Sequence, residues 1–254
     1  MESGSPRSGE GTCTTRSRPT GSTGRQTTWF SAALPRWDCS AVAFAFAAAV
    51  AASGTAHAAT VHGYPNATAY DEAVTLSHLK TVGSCAGYAR SEFPGNEPSD
   101  VSSGHTLDGK SLSLRYYVIE LDSSGAHIPA GKSESYMTGT LHNEYTGKTI
   151  TLKHGPDTTA IQADHVVALG DAWKMGACRW SSSKRESFAI DVAELRAVDT
   201  HDNEVKSDDD AAQWLPPANR TWYVETQINI KAKYGLGVTA AERSAMMRVL
   251  KTGK

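Results

Sequence analysis

The sequence predicts an α+β fold in which short antiparallel strands bracket a site and helices pack on one side of them. Three observations lead to this fold class. Runs rich in β-branched and aromatic residues fill the middle of the chain. Helical spacing of apolar residues takes over after Gly170. A further helical segment comes before the strands, at residues 70–82.

The first 58 residues are predicted to be a polar lead-in followed by a secretory signal peptide that is removed. The lead-in is rich in Ser, Thr, Gly, Arg and Pro and is too polar to form a core. The apolar run at 41–52 is followed by the small-x-small pattern that ends at Ala58, which is typical of signal cleavage. A membrane anchor is the alternative, but the run is shorter than the ~20 residues of a spanning helix. We therefore expect a secreted, extracellular protein with no membrane segment in its mature form.

The predicted mature chain is mildly acidic. Residues 59–254 contain 20 Lys and Arg against 24 Asp and Glu, a formal net charge of −4. This charge excludes a general electrostatic footprint for nucleic acid, so any polyanion must be met by a local basic face. A cluster of four basic residues could form that face, although an exposed helix explains the cluster equally well. The cluster consists of Lys174, Arg179, Lys184 and Arg185.

Two cysteines remain in the mature chain, Cys85 and Cys178. In an oxidising compartment they could form one disulfide, and the sequence leaves their pairing open. A zinc site is disfavoured, because the chain has no CxxC pair and two isolated cysteines rarely bind zinc. A zinc hydrolase is therefore the last-ranked function.

The elements before the site are predicted in chain order from residue 70. Residues 70–82 show helical spacing, and residues 94–111 are a loop by composition. The run LSLRYYVIEL at 112–121 predicts a strand, because β-branched and aromatic residues favour strands. Two short runs within 136–155 flank residues 143–147, which indicates a hairpin.

The C-terminal part is predicted to combine two strands with several helices. The strands lie at 161–169 and 194–199. A capping box opens the last helix, since Thr239 is followed three residues later by Glu242. The helices are expected at residues 171–177, 182–191, 226–236 and 240–250.

Four polar residues form a set that suits hydrolysis at phosphorus. Asp164 and His165 are adjacent in the strand at 161–169, and Asn203 and Lys206 are three apart on one face of a predicted helix. The oxygens of Asp164 and Asn203 could bind a hard cation such as Mg²⁺ or Mn²⁺. His165 could take a proton from water near its unperturbed pKa of ~6.5, so activity is expected to rise through that titration. Lys206 could hold a phosphate as a point charge.

Each of these residues also has an ordinary explanation. Asp164 could be a strand-end carboxylate, Asn203 a helix cap and Lys206 a solvated lysine. Val166 and Val167 predict that the strand continues past His165, which would turn the two acid–base side chains to opposite faces. A phosphate would then have to lie between the metal and the base.

Four longer segments link this set to a known family. They are DHVVAL, FAIDVAELRAVD, NEVKSDDDAAQWLPP and YVETQINIKAKYGLGVTAAER. Together they resemble the HNH (His-Me finger) endonucleases, in the secreted branch that is similar to the C-terminal nuclease domain of GmrSD-type restriction enzymes. The resemblance is good over residues 136–250 and patchy over 59–135.

The resemblance implies a ββα-metal core and a secreted, metal-dependent endonuclease that hydrolyses DNA, with RNA as an open alternative. It implies two parts, a weakly matched N-terminal part at 59–135 and the nuclease domain at 136–254. It further implies that Asp164 and Asn203 are the metal ligands and His165 the general base, with Lys206 the basic residue beside them. Whether an immunity or inhibitor protein binds is left open.

The chain departs from the family pattern at Glu194, where the family has an asparagine that braces the catalytic loop. An ionised glutamate can accept but cannot donate a hydrogen bond, so half of this bracing is expected to be lost or rerouted. The alternative function is therefore a non-catalytic secreted module that binds nucleic acid on a degenerate HNH scaffold.

Overall fold

The computed structural model describes residues 66–82, 85–153 and 160–254. The predicted lead-in and signal peptide lie outside these residues. The described residues form helices and short antiparallel strands, which confirms the predicted α+β class. None of the helices in these ranges has both the length and the apolar character needed to cross a membrane.

Seven helices and seven strands are found in the described ranges. The helices are α1 (Ala67–His78), α2 (Leu114–Leu121), α3 (Leu169–Lys174), α4 (Ser182–Ala189), α5 (Thr200–Lys206), α6 (Arg220–Tyr234) and α7 (Ala240–Thr252). The strands are β1 (Ser102–Leu107), β2 (Lys110–Ser113), β3 (Ser123–His127), β4 (Thr138–Asn143), β5 (Lys148–Leu152), β6 (Ile161–His165) and β7 (Leu195–Asp199).

The strands form three small sheets. β1 pairs with β2, β3–β4–β5 form a meander, and β6 pairs with β7, always antiparallel. The β4–β5 hairpin is the one predicted around residues 143–147. In the β6–β7 pair Asp164 lies opposite Arg196 and His165 opposite Leu195. Because α5 follows β7 without a linker, two strands and a helix form one local unit.

Two predictions for the N-terminal part were wrong. The predicted strand at 112–121 is a strand only to Ser113 and then becomes α2. Helix α2 buries Leu114, Val118 and Ile119, which lie on one helical face and join the core beside β6 and β7. This packing overrides the β-propensity of the run. The predicted loop at 94–111 contains β1, whose sequence SSGHTL carries little strand signal.

Two helices of the C-terminal part begin with side-chain caps. Ser181 caps α4 by accepting from the Lys184 N–H. At α7 the Thr239 hydroxyl accepts from the Glu242 N–H at 3.0 Å, and the Glu242 carboxylate accepts from the Thr239 N–H at 3.3 Å. This reciprocal pair is the capping box that the spacing predicted.

The β6–β7 pair lies where three apolar clusters meet. Ile161 packs with α2, Val166 with α1, α6 and α7, and Val167 with α3 and α4. All three side chains are at most 1 % exposed. The segment that carries Asp164 and His165 is therefore anchored on three sides by apolar burial.

Cys85 and Cys178 form a disulfide in the structure. It joins the segment before Arg90 to the turn after α3 across a sequence separation of 93 residues. A covalent link over so long a loop mainly lowers the entropy of the unfolded chain.

Replacing Cys85 with serine should lower the free energy of unfolding by about 2–4 kcal/mol, because the loop constraint on the unfolded chain is lost. Urea unfolding measures this change. The parent protein in reductant is the matched control and should unfold with the variant. If both unfold at the urea concentration of the oxidised parent, the disulfide does not stabilise the fold.

Candidate active site

Asp164, His165 and Asn203 line one surface cleft of about 460 Å³. The end of β6, the start of α3 and helix α5 form its walls. Arg90 and Asp208 add further charged groups to the lining. The structure thus brings together three of the four residues singled out in the sequence, on elements about forty positions apart in the chain.

The Asp164 carboxylate is buried, with a side chain only 7 % exposed. Its Oδ1 accepts from the Lys206 Nζ at 3.1 Å, and its Oδ2 accepts from the Tyr145 hydroxyl at 2.5 Å. Burial raises the pKa of this carboxyl, and the Lys206 charge and the Tyr145 hydroxyl oppose the rise. Since each oxygen has two lone pairs, both retain an acceptor site after these bonds.

Lys206 does not occupy the position predicted for a phosphate contact. Its side chain is fully buried, and the Nζ donates to Asp164 Oδ1 and, at 2.8 Å, to the His165 carbonyl. The ammonium therefore faces the protein rather than the cleft. It neutralises Asp164 and fixes the backbone of the next residue.

The imidazole of His165 is held in one orientation by a backbone carbonyl. Its Nε2 lies 2.9 Å from the Ala189 oxygen at the end of α4, and its ring lies roughly parallel to that of Phe188. A carbonyl can only accept, so Nε2 carries the hydrogen and Nδ1 carries the free lone pair. Nδ1 is consequently the nitrogen that can take up a proton.

Burial lowers the pKa of His165 to about 3, with further contributions from the charges of Arg90 and Lys206. The ring is therefore neutral throughout the range from pH 5 to pH 8. The expected rise of activity through a titration near pH 6.5 does not follow from this environment, because the base is already deprotonated well below that pH.

Strand β6 ends at His165, whereas the sequence predicted that it continues. Glu194 holds the chain that follows. Its carbonyl accepts from the Val166 N–H at 2.9 Å, and its Oε1 accepts from the Val167 N–H at 2.9 Å. The Val166 carbonyl accepts from Gln227 Nε2 on α6 at 2.9 Å. These bonds turn the chain out of the sheet directly after His165.

The Glu194 side chain supplies the acceptor half of the expected bracing, and the donor half is rerouted to another residue. Glu194 is fully buried, and its Oε2 has no hydrogen-bond partner among the described residues. Burial raises its pKa well above the ordinary value of 4.5, more than Lys206 can offset. Oε1 acts as an acceptor for the Val167 N–H, and the side-chain donor that reaches this loop is Gln227 Nε2, which bonds to the Val166 carbonyl at 2.9 Å.

Asn203 faces β6 from the first turns of α5. Its Nδ2 donates to Gln162 Oε1 at 2.7 Å, which leaves the amide oxygen as the free end. The N-cap of this helix is Asp199, which accepts from the His201 N–H, so Asn203 is not the cap. An amide oxygen and a carboxylate oxygen on one cleft are donors that suit a hard cation.

A second carboxylate cluster lies deeper, formed by Asp171, Asp210 and Glu242. The Lys231 Nζ lies 2.6 Å from Asp171 and 2.7 Å from Glu242. This buried ammonium already supplies the positive charge that such a cluster needs. We therefore assign the cluster to the packing of α3, α6 and α7 rather than to metal binding.

Three of the four residues of the predicted basic cluster make contacts with other parts of the protein. Lys174 pairs with Asp208 at 2.8 Å. The Lys184 Nζ lies over the Trp180 ring and donates to the Tyr234 carbonyl. The Arg185 guanidinium donates to the Glu92 and Trp180 carbonyls. Only Arg179, among the four, is described as an exposed residue without such a side-chain contact.

Three residues of the site were not found from the sequence. Gln162 could have been found, because residues i and i+2 of a strand share a face and it precedes Asp164 by two. Tyr145 lies in the β4–β5 turn, and Arg90 lies in a 3₁₀ turn far upstream. Both lie in segments that also resemble the secreted branch, GTLHNEYTGKTI and GYARSEFP, but the resemblance was not carried over to either residue.

The fold and site together define an α+β protein with a carboxylate–imidazole pair on a two-stranded ribbon followed by a helix. The chain belongs to the family described as "GmrSD restriction endonucleases, C-terminal domain", which its residues 116–249 match. It is also similar to an "Uncharacterized secreted protein" of Arthroderma benhamiae. The two are 31 % identical over 194 residues, which cover 74 % of this chain and 86 % of that protein. No solved structure matches the chain.

Replacing Lys206 with methionine should lower the free energy of unfolding by about 3 kcal/mol, because the Asp164 carboxylate loses its buried counter-charge. The double variant Asp164→Asn, Lys206→Met should recover part of this loss, since neither charge remains. Lys148→Met, at an exposed lysine of β5, is the matched control. If chemical denaturation gives Lys206→Met the same free energy of unfolding as the control variant, the stabilising pair of Lys206 and Asp164 is contradicted.

Replacing Glu194 with glutamine should make the protein relatively more stable as the pH rises. The folded pKa of Glu194 lies above 4.5, so above pH 4.5 the folded protein retains a proton that the unfolded chain releases. The stabilisation of the folded parent that comes with the protonated Glu194 is fully present below pH 4.5. Above that pH it is lost at about 1.4 kcal/mol per pH unit until the folded pKa is reached.

The measurement is the difference in unfolding free energy between Glu194→Gln and the parent from pH 4.5 to pH 8. Glutamine cannot ionise, so the difference should grow with pH in favour of the variant. Glu204→Gln, at an exposed glutamate of α5, serves as the control. A difference that stays constant over this range would mean that Glu194 is ionised in the folded protein.

Proposed function

We propose that the protein is a secreted, metal-dependent HNH endonuclease that hydrolyses phosphodiester bonds in DNA, with RNA as a further substrate to be tested. The observation that carries the proposal is the placement of Asp164, His165 and Asn203 on one cleft. Membership in a family named for restriction endonucleases supports the reaction class, and the name of the Arthroderma benhamiae relative supports secretion.

His165 is the proposed general base. Its Nδ1 takes a proton from a water molecule while the water oxygen attacks phosphorus and the bond to the leaving sugar oxygen breaks. Nε2 remains bonded to the Ala189 carbonyl. That carbonyl holds the ring orientation and stabilises the imidazolium as it forms. Because the neutral ring predominates at physiological pH, the base is ready to accept a proton when substrate binds.

Asp164 and Asn203 are the proposed metal ligands, and β6, β7 and α5 are proposed as the ββα-metal unit that carries them. Each side chain lines the cleft and has an oxygen that its described hydrogen bonds leave able to bind an ion. Such a set suits Mg²⁺ or Mn²⁺, with water and the substrate phosphate as the other ligands. A bound ion would stabilise negative charge on the phosphate and on the leaving oxygen.

Arg90 takes the role in phosphate contact that the sequence assigned to Lys206. It lines the same cleft as Asp164 and His165 and is exposed. Its guanidinium is oriented by bonds to Glu97 Oε1 and to the Asn96 carbonyl, both at 2.8 Å. A guanidinium held in this way presents a planar fork of donors that suits phosphate oxygens.

One observation favours a non-catalytic nucleic-acid-binding module as the second candidate. The Lys206 ammonium lies 3.1 Å from Asp164 Oδ1 and already neutralises the proposed metal ligand. A divalent ion must share this carboxylate with a resident positive charge. Binding of nucleic acid without turnover would favour the module over the nuclease.

Replacing His165 with alanine should lower plasmid nicking by about 100-fold or more, because the general base is removed. The assay follows supercoiled DNA in Mg²⁺ or Mn²⁺, and EDTA should stop the reaction of the parent. His201→Ala, at an exposed histidine of α5, should cut like the parent. Circular dichroism of each variant verifies that it is folded.

Cleavage by His165→Ala at the parental rate would exclude His165 as the base. Cleavage that continues in EDTA would exclude the metal. A folded parent that binds DNA but does not cut it would replace the nuclease with the binding module.

A further inference from the structure

A second cleft of about 510 Å³ adjoins the candidate active site. The two clefts share Arg90, Ala163 and Asn203 in their linings. The second cleft is further lined by a turn at Glu97–Ser99, by Arg115 of α2 and by Gln162 of β6. The shared residues make the two clefts one continuous depression in the surface.

Strand β6 runs along the floor of this depression. Gln162 lines the second cleft and Asp164 the first. Residues two apart on a strand share a face and are separated by about 7 Å along it. A chain of phosphodiesters with one phosphate at Asp164 therefore extends, in one direction, over Gln162 and into the second cleft.

Arg115 is the positively charged group at that end of the depression. Its Nη2 donates to the Ile161 carbonyl at 2.5 Å, and its guanidinium lies 4.9 Å from the centre of the Tyr116 ring. These contacts fix the guanidinium beside the start of β6. Arginine is the residue best suited to phosphate, because its donor fork is planar and always charged.

We infer that the second cleft is a binding subsite for the phosphate adjoining the one to be cleaved, with Arg115 as its principal cationic contact. The inference rests on the proposed function and deepens it: the substrate is a nucleic-acid chain with at least two consecutive phosphates. It also identifies the local basic face that a protein of net negative charge needs in order to bind nucleic acid. Arg90 and Arg115 form that face because they line the depression, although Arg90 also pairs with Glu97 at 2.8 Å. The four basic residues after β6 are outside the described lining of both clefts.

Binding of a fluorescein-labelled 12-nucleotide oligothymidylate in EDTA tests the subsite without requiring turnover. Fluorescence polarisation is measured for the full chain at several salt concentrations. Arg115→Gln should raise the Kd about tenfold and should reduce the slope of log K against log salt by about 0.7, the value for one single-strand phosphate contact. Arg115→Lys should retain the slope. Arg179→Gln, at an exposed arginine outside the described lining of both clefts, should bind like the parent.

A second variant covers the case in which Arg115→Gln does not fold, since the Ile161 contact is lost with it. Ser99→Glu adds a negative charge on the exposed opposite wall of the same cleft. It should weaken binding through charge repulsion with no change at Arg115. Parental affinity in both Arg115→Gln and Ser99→Glu, or an equal loss in Arg179→Gln, would overturn the subsite, as would a parent that does not bind the oligonucleotide.

Plasmid nicking by the same preparations separates this outcome from the fate of the proposed function. If the parent nicks plasmid but the variants bind the oligonucleotide as tightly as the parent does, the subsite is rejected and the nuclease is retained. Oligonucleotide binding that depends on Arg115, without nicking, keeps the subsite and rejects the nuclease.

Discussion

The burial of the Asp164 carboxylate is the constraint on which the arrangement of the site depends. An ionised carboxylate removed from water is costly unless charge and hydrogen bonds compensate it. Here the compensation comes from Lys206 on α5 and from Tyr145 in the β4–β5 turn. Two elements that lie far apart in sequence must therefore converge on β6 for the fold to form. Because His165 directly follows Asp164, the same contacts also fix the position of His165.

Backbone hydrogen bonding explains why a charged pair can precede a buried apolar run. The chain leaves the sheet after His165, and its N–H and carbonyl groups need new partners at once. Glu194 accepts from two consecutive N–H groups, and Gln227 donates to the Val166 carbonyl. With these groups satisfied, Val166 and Val167 can be buried in separate cores on either side. The loop is consequently rigid without being part of a regular element.

Local patterns predicted much of this molecule, and long-range contacts account for most of what they missed. The capping box of α7 and the β4–β5 hairpin depend on a few adjacent residues and were correctly predicted. The run that forms α2 was predicted as a strand because its residues favour strands. It forms a helix because burial against β6 and β7 outweighs that propensity. Spacing placed Lys206 on the face of Asn203, but spacing alone cannot tell whether an ammonium points to water or to a buried carboxylate. The direction of Lys206 depends on tertiary packing.

The dry environment of Glu194 has a consequence for how this protein tolerates mutation. Tyr145 and Tyr223 are fully buried near this acid and help to exclude water from it. A smaller residue at either tyrosine would admit solvent to the Glu194 carboxyl and weaken the burial that raises its pKa. Damage to the site would thus begin as hydration of the core, at positions that a substrate never reaches.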